Sequence, residues 1–373
     1  MTADPSERDG ILRRAVELGA SDLLITAGQP VLITVAGTLQ PLPDSEPLAP
    51  ADTERLAGSF LNAAQRERFE RDLELDIRHH APGVAQFRVN LFRQQSHWGA
   101  ALRVIPLRIP MPAEIGLAPH VVDRLLGITR GLVLVTGPTG AGKSTTIASL
   151  LEQMNQQGPR RHVVTIEDPI EFVFAPQHAV FDQREVGVDT RSYAAGLRGA
   201  LRQMPHVIFV GEMRDLTSMS IALTAAETGN LVISTMATQS AAQTMLRIID
   251  AFPAPQQPQI RTQLSLTLRA VVSQVLLQRA DGRGRVAARE TLFTNTAIQS
   301  LIREDKVHQI PNAIATGARD DMMSLSDALA DLVERSVVGF ETAYGHFDDH
   351  EKRAALQKRH YRVIPVREAG ASR

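Results

Sequence analysis

The stretch that decides the fold is residues 131–144, which read Gly-Leu-Val-Leu-Val-Thr-Gly-Pro-Thr-Gly-Ala-Gly-Lys-Ser. An apolar run of strand type leads directly into the pattern G-x-x-x-x-G-K-S. In this pattern the glycines let the backbone turn tightly and aim its N–H groups at phosphate oxygens, where a β-carbon would intrude. Residues 145–154 predict a helix whose positive N-terminal end faces the anion. The sequence therefore predicts a loop that binds the phosphates of a nucleoside triphosphate.

Two polar side chains of this loop have predicted roles of their own. Lys143 can reach the β- and γ-phosphates as a point charge, and the Ser144 hydroxyl can ligate Mg²⁺. We therefore expect Mg²⁺ together with the nucleotide, with Ser144 as the protein ligand of the metal. The residues expected to bind the nucleotide are Gly137, Pro138, Thr139, Gly140, Ala141, Gly142, Lys143, Ser144 and Thr145.

The composition narrows the classes of function. The 373 residues suffice for two or three domains, each able to bury its own core. Because 40 basic side chains nearly balance 41 acidic ones, no global field attracts nucleic acid or an anionic membrane. The absence of cysteine excludes disulfides, thiolate zinc sites and a thiol nucleophile, and it is compatible with a reducing cytoplasm. There is no apolar N-terminal signal and no run of about eighteen apolar residues, so we expect no direct membrane insertion.

Proline-rich stretches and changes in periodicity divide the chain. Residues 1–105 predict a small α+β domain, with strands expected at residues 22–26, 31–35, 85–92 and 99–105. Residues 106–119 contain four prolines and no clear period, which is typical of an interdomain linker. The pair His79-His80 lacks a second cluster at metal-ligand spacing, so we expect it in an exposed loop.

Residues 120–350 predict an α/β domain in which short apolar strands alternate with helices, a pattern typical of a parallel sheet covered on both faces. The strands are expected at residues 132–136, 162–166, 207–210 and 231–235. Beyond Gln256 we expect a helix to about Val275, a short hairpin around residues 281–285 and a mostly helical C-terminal part. Residues 351–373 are charged, and we expect a frayed tail there.

A triphosphatase also needs acidic groups that hold Mg²⁺ and orient the attacking water. In a doubly wound sheet such groups lie at the carboxyl ends of strands, beside the phosphate loop. Glu167 follows the strand expected at residues 162–166, and Glu212 follows the strand expected at residues 207–210. Glu212 is the better candidate for the base that orients water, and Glu167 is a candidate second orienter of water or metal.

Further short motifs span nearly the whole chain. They are residues 20–23 (ASDL), 87–90 (FRVN), 165–172 (TIEDPIEF), 183–187 (QREVG), 210–215 (VGEMRD), 223–229 (LTAAETG), 269–274 (RAVVSQ), 297–304 (AIQSLIRE) and 308–311 (HQIP). Together these motifs closely resemble those of the secretion-type ATPases. Within that superfamily they are most similar to the type IV pilus retraction ATPases.

This resemblance implies a RecA-like P-loop ATPase domain preceded by a PAS-like α+β domain. It implies a ring-shaped homo-hexamer that binds ATP with Mg²⁺ and hydrolyses it to drive pilus retraction and twitching motility. It also implies a cytoplasmic location, peripheral to the inner face of the cytoplasmic membrane. The partners would be an inner-membrane pilus platform protein and a sister pilus ATPase.

The resemblance also assigns arginines of the first domain to the phosphates, and the family pattern maps them to Arg88 and Arg103. A guanidinium is the group suited to charge that spreads over phosphoryl oxygens. From the residues alone, two surface arginines on strands are the alternative. The expected catalytic residues are therefore Glu212, Glu167, Arg88 and Arg103.

Three positions depart from the family pattern. The family begins one strand with Gly-His and ends it with Leu-His-Thr, whereas residues 229–238 read GNLVISTMAT, so Asn230 and Ala237 replace the two histidines. His206 ends a segment, QMPH at residues 203–206, in which the family carries acidic residues. Asn230 can still donate a hydrogen bond, but the Ala237 side chain can neither bond nor carry charge.

These departures leave several interpretations open. One is a working ATPase, since the phosphate loop and both acids remain. Another is an accessory paralogue that binds ATP but hydrolyses it weakly. A pilus-assembly or type II secretion ATPase is disfavoured, because those proteins carry a long N-terminal region and a four-cysteine zinc insertion. A DNA-translocating motor is disfavoured by the neutral charge, so we expect no nucleic acid partner.

Overall fold

Two β-sheets, one in each part of the chain, organise the fold. The computed structural model describes residues 5–35, 37–105 and 108–363. Its contacts separate into two units. The first contains the chain up to Ile109 together with Asp168–Val173, and the second contains Pro110–Glu167 and the chain from Phe174 onward. Residues 106 and 107 of the expected linker lie outside the described residues.

The first unit is built on an antiparallel sheet. Its elements are α1 (Pro5–Glu17), β1 (Ala20–Ile25), β2 (Leu32–Val35), β3 (Thr38–Pro41), α2 (Pro50–Gly58), α3 (Ala63–Asp72), β4 (Glu74–Ala81), β5 (Ala85–Gln94) and β6 (His97–Ile105). The strand order is β3-β2-β1-β6-β5-β4. One face of the sheet is covered, so buried and exposed residues alternate along the strands. Phe69, Phe87 and Trp98 are the largest fully buried side chains in its core.

The expectation that His79 and His80 lie in an exposed loop is wrong, because both belong to β4. Leu75 and Ile77 point into the core on alternate positions of this strand, and His79 continues the same face. The His79 ring packs edge-on against Phe60, with ring centroids 5.1 Å apart. The two histidines interrupt the alternation of apolar and polar residues, so the sequence did not predict the strand.

The second unit contains the phosphate loop. Its elements are α4 (Pro119–Leu126), β7 (Gly131–Thr136), α5 (Lys143–Gln156), β8 (His162–Glu167), β9 (Val180–Glu185), α6 (Tyr193–Ala200), β10 (Val207–Val210), α7 (Leu216–Glu227), β11 (Leu231–Met236), α8 (Ala241–Asp250), α9 (Gln257–Thr267), β12 (Leu268–Gln278), β13 (Arg285–Phe293), α10 (Thr296–Arg303), α11 (Ile310–Ala315), α12 (Leu325–Glu334), α13 (Phe340–Tyr344) and α14 (His350–Val363). The strands form one sheet in the order β13-β12-β7-β11-β10-β8-β9.

This sheet is parallel except at β13, which pairs antiparallel with β12. The central strands β7, β10 and β11 are buried at every position. Helices cover the sheet, which is why these strands read as continuous apolar runs rather than as alternating patterns. The observed layers agree with the α/β class that the sequence predicts.

The helix expected beyond Gln256 is shorter than predicted. It ends at Thr267, and β12 begins at the next residue and continues past Val275. β12 lies between β7 and β13, so almost all of its residues are buried. A strand buried on both faces shows no alternation, and a short apolar run of this kind cannot be told from a buried helix by periodicity.

The C-terminal region is a series of short helices that continues beyond residue 350. The sequence predicts a frayed tail from residue 351, whereas the structure has α14 there. This helix is held because Leu356 is buried and Lys352 Nζ donates to Asp327 Oδ1 at 2.6 Å. The tail from residue 364 lies outside the described residues. None of the helices in the described part of the chain has both the length and the apolar character needed to cross a bilayer.

His79, whose ring packs against Phe60 in the core, makes the stability of the first unit depend on pH. Burial lowers the pKa of His79 from 6.5 to about 4, and the nearby Arg8 guanidinium adds to this effect. At pH values between about 4 and 6.5, this histidine is protonated in the unfolded chain but not in the folded chain. The free energy of unfolding should therefore fall as the pH falls through this window, by up to about 3 kcal/mol.

This dependence can be measured in the full-length protein by urea unfolding. Trp98 is the only tryptophan of the sequence and lies in this core, so its fluorescence follows the first unit. The His79→Phe variant keeps a ring against Phe60 and should flatten the pH dependence. His80→Gln, at the exposed neighbouring position, should keep it. An unchanged profile in His79→Phe would contradict the role of this histidine.

Candidate nucleotide-binding site

The predicted phosphate-binding sequence forms the loop between β7 and α5. Gly142 precedes the helix with a φ of +84°, and Gly137 follows the strand with a φ of +143°. Both are backbone conformations that favour glycine. A β-carbon on Gly137 would also lie 2.3 Å from the carbonyl oxygen of Gln274. The shape of the loop therefore requires glycine at these positions for steric reasons.

Lys143 is folded over this loop. Its Nζ donates to the carbonyl oxygens of Gly137 at 2.8 Å and Pro138 at 3.0 Å. Ser144 and Thr145 are half-buried in the first turn of α5, beside the backbone N–H groups that a helix N-terminus leaves without helical partners. The ammonium group and the helix N-terminus together make the loop electrostatically positive, which suits an anionic ligand.

Two buried polar residues of β12 support the loop from behind. Thr136 Oγ1 donates to Ser273 Oγ at 2.9 Å, and Gln274 Nε2 donates to the carbonyl oxygen of Ala141 at 2.5 Å. Gln274 Oε1 also accepts a hydrogen bond from Thr146 Oγ1, at 2.9 Å, in the first turn of α5. Sequence reasoning missed Ser273 and Gln274 as site residues. Their signal is a polar pair at the end of an otherwise apolar run in the motif RAVVSQ.

The order of the sheet brings the two predicted acids to neighbouring strand ends. β8 and β10 are parallel neighbours, and Val210 pairs with Ile166. The Gly211 N–H donates to the Ile166 carbonyl oxygen at 2.8 Å, so Gly211 lies beside Glu167, and Glu212 follows it. Only β11 separates β10 from β7, the strand that leads into the phosphate loop. The structure therefore places both acids at the carboxyl edge of the sheet that carries the loop.

Glu212 is half-buried and is paired with Arg214, whose Nε donates to its Oε2 at 2.7 Å. The Arg214 side chain is 71% exposed, so solvent screens this pair and its contribution is small. The backbone nearby is more firmly held, because Thr235 Oγ1 donates to the Gly211 carbonyl oxygen at 2.6 Å. The position of Glu212 is thus fixed, while its carboxylate can exchange Arg214 for water or a cation.

Glu167 is buried, with 7% of its surface exposed. Its Oε1 accepts hydrogen bonds from Thr165 Oγ1 at 2.6 Å and from Gln183 Nε2 at 3.4 Å. Donors on β8 and β9 therefore hold this carboxylate from two sides. A carboxylate with a fixed orientation is suited to positioning a neighbouring water or metal ligand.

Of the three positions that depart from the family pattern, two lie at the amino ends of strands and one lies at a carboxyl end. His206 and Asn230 precede β10 and β11, at the amino ends of these strands. His206 Nδ1 accepts a hydrogen bond from the His162 N–H, and the Asn230 amide closes the turn that follows α7. Ala237 is exposed and follows β11 at the carboxyl end, which is the end that carries Glu212.

In the first unit the structure brings Arg88 and Arg103 together. They are directly paired residues of β5 and β6. Arg103 Nε donates to Asp22 Oδ1 at 2.9 Å, and Arg88 Nε lies 3.7 Å from Asp76 Oδ1. The two arginines and the two aspartates line a shallow cavity of about 410 Å³. Like charges directly opposite each other destabilise a strand pair, so a sheet with a purely structural role gains nothing from this arrangement.

Arg78 extends this pair to a row of three arginines on neighbouring strands. It is exposed on β4 and is directly paired with Arg88. Asn90, two residues further along β5, lines the same cavity. Sequence reasoning missed Arg78 because it did not predict β4, and the row is visible only when the register of this strand is known.

These features define a protein with a P-loop α/β domain, acids at the strand ends beside the loop, and a smaller antiparallel unit that carries paired arginines. The family described as type II/IV secretion system protein matches residues 113–349. The chain belongs to this family. The expected fold class, a RecA-like P-loop domain with a smaller α+β domain, is confirmed by the similarity to solved structures of the family.

Two curated relatives and one solved structure resemble this chain over most of their length. The type IV pilus retraction ATPase PilT of Pseudomonas aeruginosa is 44% identical over 333 residues, which cover 89% of this chain and 96% of the relative. The type IV pilus ATPase PilU of the same organism is 37% identical over 342 residues, covering 92% and 89%. The crystal structure of the pilus retraction motor PilT with bound ADP matches with a TM-score of 0.84 at 43% identity, covering 92% and 98%. The resemblance to the pilus retraction ATPases is therefore confirmed.

The strand end that carries Glu167 depends on a glycine in the neighbouring helix α6. A β-carbon on Gly196 would lie 2.8 Å from Ile166 Cγ2 and 3.3 Å from Thr190 Cγ2. On Gly199, in the same helix, it would meet only the flexible end of Arg184, at 3.0 Å. Alanine normally stabilises a helix interior by about 1 kcal/mol relative to glycine, so the two positions should respond in opposite directions.

We expect Gly196→Ala to lower the free energy of unfolding by about 1–3 kcal/mol, since the added methyl group overpacks the contact with β8. Gly199→Ala should be neutral or stabilising, because the Arg184 side chain can move aside. Urea unfolding of the full-length protein, followed by circular dichroism, measures both effects. Equal stability of the two variants would show that α6 can move away from the strand without cost.

Proposed function

We propose that this chain is an ATP-hydrolysing motor of type IV pilus retraction. The observation that carries the proposal is a complete phosphate loop at residues 137–144 with Glu167 and Glu212 at neighbouring strand ends of the same sheet. The similarity to pilus retraction ATPases over most of the chain supports the assignment to the pilus. The chemistry expected of the site follows from the groups that surround the loop.

ATP would bind through the backbone of the loop and the first turn of α5, whose N–H groups would donate to phosphate oxygens. Lys143 would leave the carbonyl oxygens of Gly137 and Pro138 and bind the β- and γ-phosphates. The Ser144 hydroxyl is suited to hold Mg²⁺ together with phosphate oxygens and water, since Mg²⁺ is usually bound by few protein ligands. The metal would supply neutralisation of phosphate charge.

Glu212 would orient the attacking water, in exchange for its weak pair with Arg214. Glu167, held by Thr165, would position the same water or a metal ligand from the adjoining strand end. Arg88 and Arg103 would stabilise the charge that spreads over the phosphoryl oxygens, for which the planar guanidinium is well suited. Each aspartate beside them would be exchanged for a phosphate oxygen.

The assembly is part of the same proposal. We infer a ring-shaped homo-hexamer in the cytoplasm, peripheral to the inner face of the cytoplasmic membrane. Its partners would be an inner-membrane pilus platform protein and a sister pilus ATPase. The similarity to a pilus retraction motor and to a second pilus ATPase of one organism supports this inference. The nearly neutral charge of the chain gives no support to a nucleic acid partner.

An accessory paralogue that binds ATP but hydrolyses it weakly is the second candidate. Ala237 favours it, because this position lies at the carboxyl edge of the sheet and offers neither a hydrogen bond nor a charge. His206 and Asn230 do not favour it, since both make structural contacts at the amino ends of strands. The retained acids and phosphate loop make the hydrolytic motor the better-supported proposal.

The Glu212→Gln variant tests the hydrolytic role. The amide keeps the size of the side chain but lacks the charge that orients water, so we expect ATP hydrolysis to fall by about 10²–10⁴-fold. The affinity for nucleotide should be retained. Phosphate release by the size-separated assembly measures the first effect, and calorimetry with Mg·ADP measures the second.

Glu334→Gln is the matched control, because Glu334 pairs with Arg359 on the C-terminal helices and should not affect turnover. Equal phosphate release by the wild type and Glu212→Gln would overturn the assigned role of Glu212. A wild-type rate near background that rises when a sister pilus ATPase is added would support the accessory paralogue instead.

A further inference from the structure

A buried arginine lies behind the phosphate loop. Arg289, on β13, has 8% of its surface exposed, and burial lowers the pKa of its guanidinium to about 10. In the part of the chain that the structure describes, no ion pair joins Arg289 to a carboxylate. A buried cation without a counter-charge is costly, so its stability here depends on the hydrogen bonds that it donates.

The Arg289 guanidinium donates to acceptors on two sides. Its Nη2 donates to the carbonyl oxygen of Ile115 at 2.9 Å, and its Nη1 donates to that of Gly116 at 3.2 Å. Its Nε donates to Gln274 Oε1 at 3.4 Å. A planar guanidinium presents donors in several directions at once, which an ammonium on a flexible chain does not. Arg289 therefore connects residues 115 and 116 to Gln274.

Gln274 continues this connection to the phosphate loop. Gln274 and Arg289 are directly paired residues of β12 and β13, so their side chains share one face of the sheet. The Ala141 carbonyl oxygen can only accept, which requires the amide nitrogen of Gln274 to face the loop. The amide oxygen must then face Thr146 and Arg289. Arg289 thus helps to fix the orientation in which Gln274 supports the loop.

Residues 111–117, which we call the linker turn, hold the two carbonyl groups in place. The Leu117 N–H donates to the Pro112 carbonyl oxygen at 3.0 Å, and the Met111 N–H donates to Glu114 Oε2 at 2.7 Å. Gly116 has a φ of +73°, a conformation that favours glycine. The turn is therefore a defined structure, and its shape depends on this glycine.

We infer that Arg289 is a positioning residue for nucleotide binding. It holds Gln274 against the phosphate loop and makes the affinity of the loop for nucleotide depend on the conformation of the linker turn. This inference rests on the proposed binding of nucleotide at residues 137–144. A change in the linker turn withdraws the acceptors of Arg289, releases Gln274 and loosens the loop at Ala141.

The first test is the affinity of the full-length protein for Mg·ADP, measured by calorimetry. Arg289→Met keeps the length of the side chain but removes its donors. We expect the Kd to rise about tenfold, the effect of losing one or two buried hydrogen bonds. Because the donors of Arg289 bond protein acceptors behind the loop, the KM for ATP should rise while kcat stays within about threefold. A loss of folding alone does not produce this split.

Arg161→Met is the matched control. Arg161 is also partly buried and donates to a backbone carbonyl, that of Leu126, but it lies beside Met154 near the C-terminal end of α5. Its substitution should leave the Kd for Mg·ADP unchanged. Arg289→Lys keeps the charge without the fork of donors, and we expect an intermediate affinity.

The second test changes the linker turn itself. Gly116→Ala strains a backbone with positive φ without a clash, since the nearest atom to the added carbon would be Arg289 Nη1 at 3.9 Å. We expect the Kd for Mg·ADP to rise several-fold, and to rise no further when Gly116→Ala is added to Arg289→Met. Gly83→Ala, which has a similar φ of +71° in the first unit and open space around it, should have no effect.

Each outcome decides between the inference and the proposed function. An unchanged Kd in Arg289→Met, with binding lost in Lys143→Ala, would overturn the inference and leave the proposed function intact. If the increases in Kd caused by Arg289→Met and Gly116→Ala multiply in the double variant, the two residues act independently. This result would overturn the connection to the linker turn. Failure of the wild type to bind Mg·ADP would overturn the proposed function itself. If Arg289→Met does not fold, Arg289→Lys and Gly116→Ala decide in the same way.

Discussion

The close approach of β12 to the start of the phosphate loop is the constraint on which the rest of the site depends. At Gly137 the carbonyl oxygen of Gln274 occupies the space in which any side chain would begin. The chain must therefore leave β7 through glycine, turn, and enter α5 with Lys143 in its first turn. The Gln274 side chain then ties Ala141 to Thr146. Glycine is therefore required at the start of this loop by the close packing of β12, independently of any ligand.

The sequence could predict the features that are encoded in consecutive residues. The phosphate loop carries its own backbone requirements in consecutive residues, and the central strands are buried at every position and largely apolar. The candidates Glu167 and Glu212 followed directly from strand ends. Gln274, Arg289 and Arg78 could not be predicted, because their roles arise from neighbours that are distant in the chain. Gln274 lies on β12, which shows no alternation, and Arg78 lies on β4, where two histidines interrupt the alternation.

The first unit keeps a row of arginines in place although their charges repel each other. Arg78, Arg88 and Arg103 lie on three adjacent strands, where like charges destabilise the pairing. Asp76 and Asp22 offset part of this cost, but both pairs are exposed and hence weak. A weak counter-ion is easily exchanged for a stronger anion. The face is therefore stable enough to fold and remains available to a multiply charged ligand.

The polarity of the parallel sheet limits what the departures from the family pattern can change. A parallel sheet presents its ligand site at the carboxyl ends of its strands, because loops and helix N-termini converge only there. Asn230 and His206 precede their strands. The Asn230 side chain closes the turn after α7, and the His206 side chain accepts a hydrogen bond from the first residue of β8. Their effect on chemistry must pass through the length of a buried strand. Ala237 follows its strand on the side of Glu212, so of the three altered positions it is the one at the edge of the sheet that carries the phosphate loop.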